Sequence, residues 1–164
     1  SSGNLLVGTT TPGYASQSGV TVNPAGASYV AVAHPDGAGS GNGYALFTYN
    51  AGIIGAISQN GTTGVNYNTS SDGRLKDITG SARGLEVINE LNPVSYNWKA
   101  DGQADEGLIA QEVLDIVPNA VSGSEEDMYQ MDYSKLVVHL VAGMKEQQTQ
   151  IEELKQQIQN LTGE

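Results

Sequence analysis

The 164-residue chain contains no cysteine. That excludes disulfide scaffolds, cysteine-ligated zinc and thiol nucleophiles. Positive charge is scarce: 7 Lys and Arg face 18 Asp and Glu, for a formal net charge of −11 at pH 7. A chain of this balance repels polyanions, so nucleic acid and anionic membranes are excluded as partners bound through charge. No apolar run approaches the roughly 20 residues that span a bilayer. No basic-then-apolar leader opens the chain, so no signal peptide is visible. Ser1-Ser2-Gly3 reads as a cut edge, and a longer natural protein is expected. No motif asks for a cofactor or a metal ion.

What is present divides sharply. Residues 1–70 carry one formally charged side chain, Asp36, and 13 of the 21 glycines. The remaining 24 charges, seven basic and 17 acidic, all lie in residues 71–164. Such a break points to two units under different physical constraints. In the first, Tyr29–Ala33 reads as a strand closed by His34-Pro35-Asp36-Gly37. Tyr44–Tyr49 reads as a second, with a turn at Asn50-Ala51-Gly52, and Ile53–Ser58 as a third. Asn60-Gly61 is a strong hairpin signal, and Thr63–Tyr67 supplies the returning strand. Large apolar side chains are too few here to build a core within one chain. Packing between chains, with small residues near a crowded axis, solves that problem. An intertwined β-oligomer is therefore expected.

The second unit reads as mixed. Ser81–Leu91 has helical spacing and is stopped by Asn92-Pro93. Val94–Trp98 alternates as a strand. Ala100–Glu106 reads as a polar loop from which Gly107–Ile109 returns. Ala110–Val117 is a short helix ended by Pro118, and Met128–Tyr133 a short strand. A long helix follows, from about Tyr133 to Leu161. Along it Val137, Leu140, Met144, Gln147, Ile151, Leu154, Ile158 and Leu161 recur at alternating spacings of three and four. That is a heptad seam with residue 137 at position a. A coiled coil over about 133–162 is expected. Ile at a with Leu at d favours two strands, and Gln147 interrupts the seam, so the spacing alone leaves the oligomer number open.

The boundary itself holds Ser71-Asp72-Gly73-Arg74-Leu75-Lys76. By composition this is a polar turn between elements. It also resembles the Ser-Asp-x-Arg-x-Lys signature of the self-cleaving intramolecular chaperone domain of phage tail spikes and fibres, the endosialidase-type peptidase domain. Three later segments are similar to that family in the same order: Leu91–Trp98, Gly107–Val113 and Asp132–Leu136. The resemblance covers residues 71–164. It implies an α+β chaperone domain that ends in a coiled coil and follows a β-rich, intertwined trimeric fibre segment (residues 1–70). It further implies a single-turnover serine endopeptidase acting in cis, which helps three fibre chains fold and then cuts itself away. Carried onto this sequence, the scissile bond is Ser70–Ser71, Ser71 is the nucleophile and Lys76 the proton acceptor. Asp72 and Arg74 occupy motif positions as accessories that shape the turn, with Arg74 a cation that disfavours a charged Lys76. Gln111 and Glu112 lie in a matched segment and are candidates for orienting Lys76 or the scissile carbonyl. The implied partners are two further copies of the chain and the rest of a tail fibre, and the implied location is a virion tail fibre assembled in the bacterial cytoplasm. The alternative is a structural trimerisation cap that does not cut.

The implied chemistry has a physical requirement. A serine hydroxyl needs a base to attack an amide. Lysine serves only when neutral, yet with an ordinary pKa of about 10.4 only about one lysine in 2,500 is neutral at pH 7. Enclosure or a neighbouring cation must supply the difference. Cleavage is thereby expected to wait for a folded, packed assembly. Ser71 acts once and becomes a new N-terminus. Two routes fit: transfer of the Ser70 acyl group to the Ser71 oxygen followed by hydrolysis, or an acyl-enzyme resolved by water that Lys76 activates.

Other candidates are weaker. His139 is expected on the surface or in the core of the last helix, and His34 in a turn. Asp101, Asp105 and Glu106 lack the ligand series of a calcium loop and read as a solvated hairpin tip. Tyr96 and Trp98 are expected in the core. Tyr14, Tyr29, Tyr44 and Tyr49 are expected to pack in strands, with a host-surface glycan as the alternative partner of this part of the fibre.

Overall fold

The computed structural model describes residues 6–7, 19–23, 29–33 and 39–163. The chain forms two compact units, Ser1–Asp77 and Ile78–Glu164. It is mixed α/β: small antiparallel sheets and, among the described residues, three α-helices.

Among the described residues the first unit holds two three-stranded sheets. β1 (Leu6–Val7), β2 (Gly19–Asn23) and β3 (Tyr29–Ala33) pair antiparallel in chain order. The turn expected at His34-Pro35-Asp36-Gly37 and the side chains of Tyr14 and Tyr29 lie outside the described residues. β4 (Gly43–Tyr49), β5 (Gly52–Asn60) and β6 (Gly64–Thr69) form the second sheet, with β5 in the centre. β4 and β5 are joined by Asn50 and Ala51, at φ 47° and 62°. Both are left-handed, as the tight hairpin turn that matches strand twist demands. Gly52 therefore opens β5 instead of closing the turn. β5 and β6 are joined by residues 61–63, a wider loop than the two-residue turn Asn-Gly favours. Gly61, at φ 61°, donates its N–H to Ser40 Oγ at 2.7 Å, and its carbonyl accepts from Gln59 Nε2 at 2.8 Å. Those bonds hold the loop open.

This second sheet has almost no interior. Ser58 is its one buried residue, and its hydroxyl accepts from Asn68 Nδ2 at 3.0 Å. Leu46, Phe47, Ile53, Ile54, Val65 and Tyr67 all stand exposed in the single chain.

The second unit has a small true core. α1 (Leu85–Glu90) is followed by β7 (Val94–Asn97), β8 (Ala104–Gly107) and α2 (Ala110–Ile116). A 3₁₀ turn (Pro118–Ala120), β9 (Val121–Ser122), β10 (Gln130–Met131), another 3₁₀ turn (Tyr133–Leu136) and α3 (Val137–Thr162) complete it. Val87, Val113, Val117, Ala120 and Leu136 are buried together, with Leu91, Leu108, Ile116, Val121 and Met131 packed around them.

Four elements depart from the sequence expectation; one is the long helix expected from about Tyr133, which is α-helical only from Val137 because Tyr133–Leu136 forms a 3₁₀ turn. The helix expected from Ser81 begins only at Leu85. Its start is set from outside: Leu85 N–H donates to Glu146 Oε2 of α3 at 2.7 Å. A Cβ on Gly84 would meet the backbone nitrogen of Gly143 at 2.6 Å, so α1 and α3 approach at a distance only glycine permits. The returning strand is Ala104–Gly107, not Gly107–Ile109, because the pairing runs from Val94↔Gly107 to Asn97↔Ala104. The strand expected over Met128–Tyr133 shrinks to Gln130–Met131, since Asp132 already caps the next turn.

α3 has two faces. His139, Ala142 and Gly143 on one side, in line with Leu136 just before the helix, are wholly or partly buried. His139 Nδ1 lies 2.7 Å from the Arg83 carbonyl oxygen, which can only accept, so the ring nitrogen donates. The seam residues Val137, Leu140, Met144, Ile151, Leu154, Ile158 and Leu161 are all exposed in the single chain.

Candidate functional site

The junction between β6 and the residues after it is built by a few local bonds. β6 ends at Thr69, but Ser70 stays attached to β5. Its N–H donates to the Ile54 carbonyl at 3.1 Å and its Oγ to the Ile53 carbonyl at 3.2 Å. Beyond Ser71 the chain tightens into one 3₁₀ turn, Gly73–Leu75. Asp72 caps that turn: its Oδ1 accepts from the Arg74 N–H at 2.9 Å, as an N-cap carboxylate does. Leu75 N–H bonds the Asp72 carbonyl at 3.1 Å, and Lys76 N–H the Gly73 carbonyl at 3.2 Å. The turn folds the chain back so that Lys76 Nζ donates to Ser71 Oγ at 2.7 Å. Sequence reasoning had no geometric route to this pairing; five residues of spacing reach it only through the capped turn.

Arg74 is engaged by Asp72. Its Nε bonds both carboxylate oxygens at 3.0 Å, and its second terminal nitrogen completes the fork. This guanidinium holds the Asp72 carboxyl below its ordinary value of 3.8, helped by the Arg74 backbone N–H. The carboxylate in turn raises Arg74. Arg74 thus serves the turn through Asp72. Ser70, Ser71, Asp72, Arg74 and Lys76 are all exposed in the single chain.

Gln111 and Glu112 lie in the second unit, on the first turn of α2. Glu112 Oε2 accepts from Asn92 Nδ2 at 3.3 Å and so ties α2 to the segment after α1. Gln111 lines an open cleft of about 750 Å³ with Trp98, Met128 and Tyr129. Trp98 is 52% exposed, contrary to the expected core position. It sits just past β7, at the root of the hairpin loop, where its backbone bonds Gln103 and Gly102. Its ring meets Tyr96 edge-on at 5.3 Å, and both donate to Asp105 Oδ2 at 3.3 Å. The Glu106 N–H, then Trp98, hold the Asp105 carboxyl down. Partial burial, then the Asp105 charge, pushes the Tyr96 phenol up. Asp101 Oδ1 accepts from Gln103 N–H at 3.0 Å and shapes the hairpin tip.

The segment Asp132–Leu136 is tied down by local bonds and packing. Asp132 accepts from the Ser134 hydroxyl at 2.6 Å and its N–H at 3.0 Å, which lowers its carboxyl. Tyr133 Oη accepts from Leu108 N–H at 3.1 Å, and Leu136 enters the core. Two contributors escaped the sequence reading. Glu146 looks like any surface acid of a heptad helix, and the anchoring role of the Ser70 hydroxyl has no signal in a Ser/Thr/Asn-rich stretch.

No curated protein and no solved structure matches the chain. A family model, Peptidase_S74, described as chaperone of endosialidase, matches residues 71–122. The match begins at Ser71 and takes in the Ser71–Lys76, Leu91–Trp98 and Gly107–Val113 segments; Asp132–Leu136 lies beyond it. Less than half of the chain is matched. Residues 71–122 are therefore similar to the chaperone of endosialidase.

Proposed function

We propose that the chain is the end of a phage tail fibre fused to its own chaperone, which assembles as a homotrimer and then cuts the Ser70–Ser71 bond. The observation that carries this reading is the 2.7 Å contact between Lys76 Nζ and Ser71 Oγ, next to a peptide bond whose preceding residue is fixed to a sheet. With the amine neutral, the same line carries the proton the other way. Ser71 Oγ attacks the Ser70 carbonyl carbon as its proton passes to Lys76. The C–N bond then breaks, and the Ser71 nitrogen takes up the proton. Water cleaves the resulting ester, leaving a carboxylate on Ser70 and a free amine on Ser71.

The pair stands in solvent in the single chain. A lysine base needs an enclosed site, so neighbouring copies supply the enclosure and cutting waits for assembly. The open seam of α3 and the coreless sheet of β4–β6 support that dependence. The coiled coil closes on the seam in this reading, and a host glycan is the receptor for the exposed fibre tip.

Intact mass spectrometry tests the proposal. The wild-type chain yields a fragment beginning at Ser71. Ser71→Ala and Lys76→Ala yield none, while sedimentation shows both still trimeric. A fragment of that mass from Ser71→Ala refutes the assignment. Uncut wild-type trimer across pH 6–9 establishes the non-cutting cap instead.

A further inference from the structure

In a regular strand successive carbonyls point to opposite edges, so a neighbouring strand receives every second one. Ser70 bonds two successive carbonyls of β5, those of Ile53 and Ile54. The register explains how. β4 pairs Phe47 with Gly55 and then Thr48 with Ile53, which leaves Ile54 as an extra residue in β5. Such a bulge bends the strand and redirects its groups. On the opposite edge the ladder of β5 and β6 is regular from Asn60↔Gly64 to Gly55↔Thr69. The irregularity thus falls where the ladder ends and Ser70 begins.

We infer that the Ser70 side chain is a positioning residue for the cut, clamped by the β5 bulge so that its carbonyl carbon is held still before the Ser71 hydroxyl. This inference rests on the self-cleavage reading. The two sides of the scissile bond are held by different devices: Ser70 by β5, and Ser71 by the turn that Asp72 caps. The clamp exists only when β6 has zipped onto β5 in the right register. A slip of one residue would send the Ser70 hydroxyl to the other face. Cleavage therefore reports completion of this sheet within each chain, separately from the enclosure of Lys76.

The test compares cutting rates in the full chain. A misplacement of about 1 Å in a reacting pair costs on the order of 100-fold, so Ser70→Ala slows the cut by about 10- to 100-fold. Ser70→Thr, which keeps the hydroxyl, stays within about threefold. The midpoint of the pH–rate profile is unchanged in Ser70→Ala, because the proton acceptor is untouched. In the uncut Ser71→Ala trimer the Ser70 amide exchanges as slowly as that of Asn68, the preceding residue whose N–H faces β5. Cutting of Ser70→Ala at the wild-type rate, or fast exchange at Ser70, overturns the clamp while leaving the cleavage reading intact. A wild-type chain that never cuts overturns both.

Discussion

The two units solve the burial problem in opposite ways. The second gathers Val87, Val113, Val117, Ala120 and Leu136 into an interior of its own, although it carries nearly all the charge. The first is almost uncharged as far as Ser70, yet of its β4–β6 sheet only Ser58 is buried, while Phe47, Ile54 and Tyr67 face solvent. Low charge alone does not make a core: the residues must also be large and converge on one side. A unit with an interior can hold its shape as one chain, whereas a sheet with apolar residues on both faces is finished only by neighbours.

This contrast can be broken at several points. The largest effect is expected at the seam. Leu154→Lys with Ile158→Lys places charge where the helices of an assembly meet and abolishes the oligomer in sedimentation. The thermal transition of the second unit's core is left in place, because both positions are exposed in one chain. If the trimer survives, the seam is not its contact. Next comes Val113→Ala, which removes two buried methyl groups from a side chain only 1% exposed. It lowers the stability of the second unit by about 2 kcal/mol in denaturant titration, while far-UV signals of the first unit persist. The smallest effect is electrostatic. Asp72 and Asp132 have carboxyls lowered by their hydrogen bonds, and lowered acids stabilise the fold above their unfolded value and lose that contribution as pH falls through the folded one. Both caps are therefore intact at neutral pH and loosen below the ordinary value of 3.8. Carboxyl-carbon NMR titration should show both midpoints below that value. An unshifted Asp72 midpoint would mean that the turn before Lys76 is not capped in solution.

Elements set by local chemistry were readable in the sequence. β3 and the bulk of β4 and β5 follow from β-branched and aromatic runs between turn residues, and α3 from its heptad spacing. The Ser71-Lys76 pairing was readable by motif alone, since the turn that brings the groups together depends on an Asp side chain choosing the Arg74 N–H. What escaped notice depended on distant partners. Glu146 starts α1 from 61 positions away. Trp98 has the composition of a core residue, but the hairpin register leaves it at a loop where Asp105 satisfies its N–H. The Ser70 clamp needs a bulge in another strand, and no spacing of residues announces a bulge.

One consequence follows from the way α3 runs on past the core of its unit. From Gln147 to Thr162 every residue is exposed in the single chain. A stretch of this length is marginal as a lone helix in water, where the nucleation penalty is not repaid by packing. Under the proposed assembly its circular-dichroism signal rises with protein concentration, which would make the tail a spectroscopic gauge of how many chains have come together.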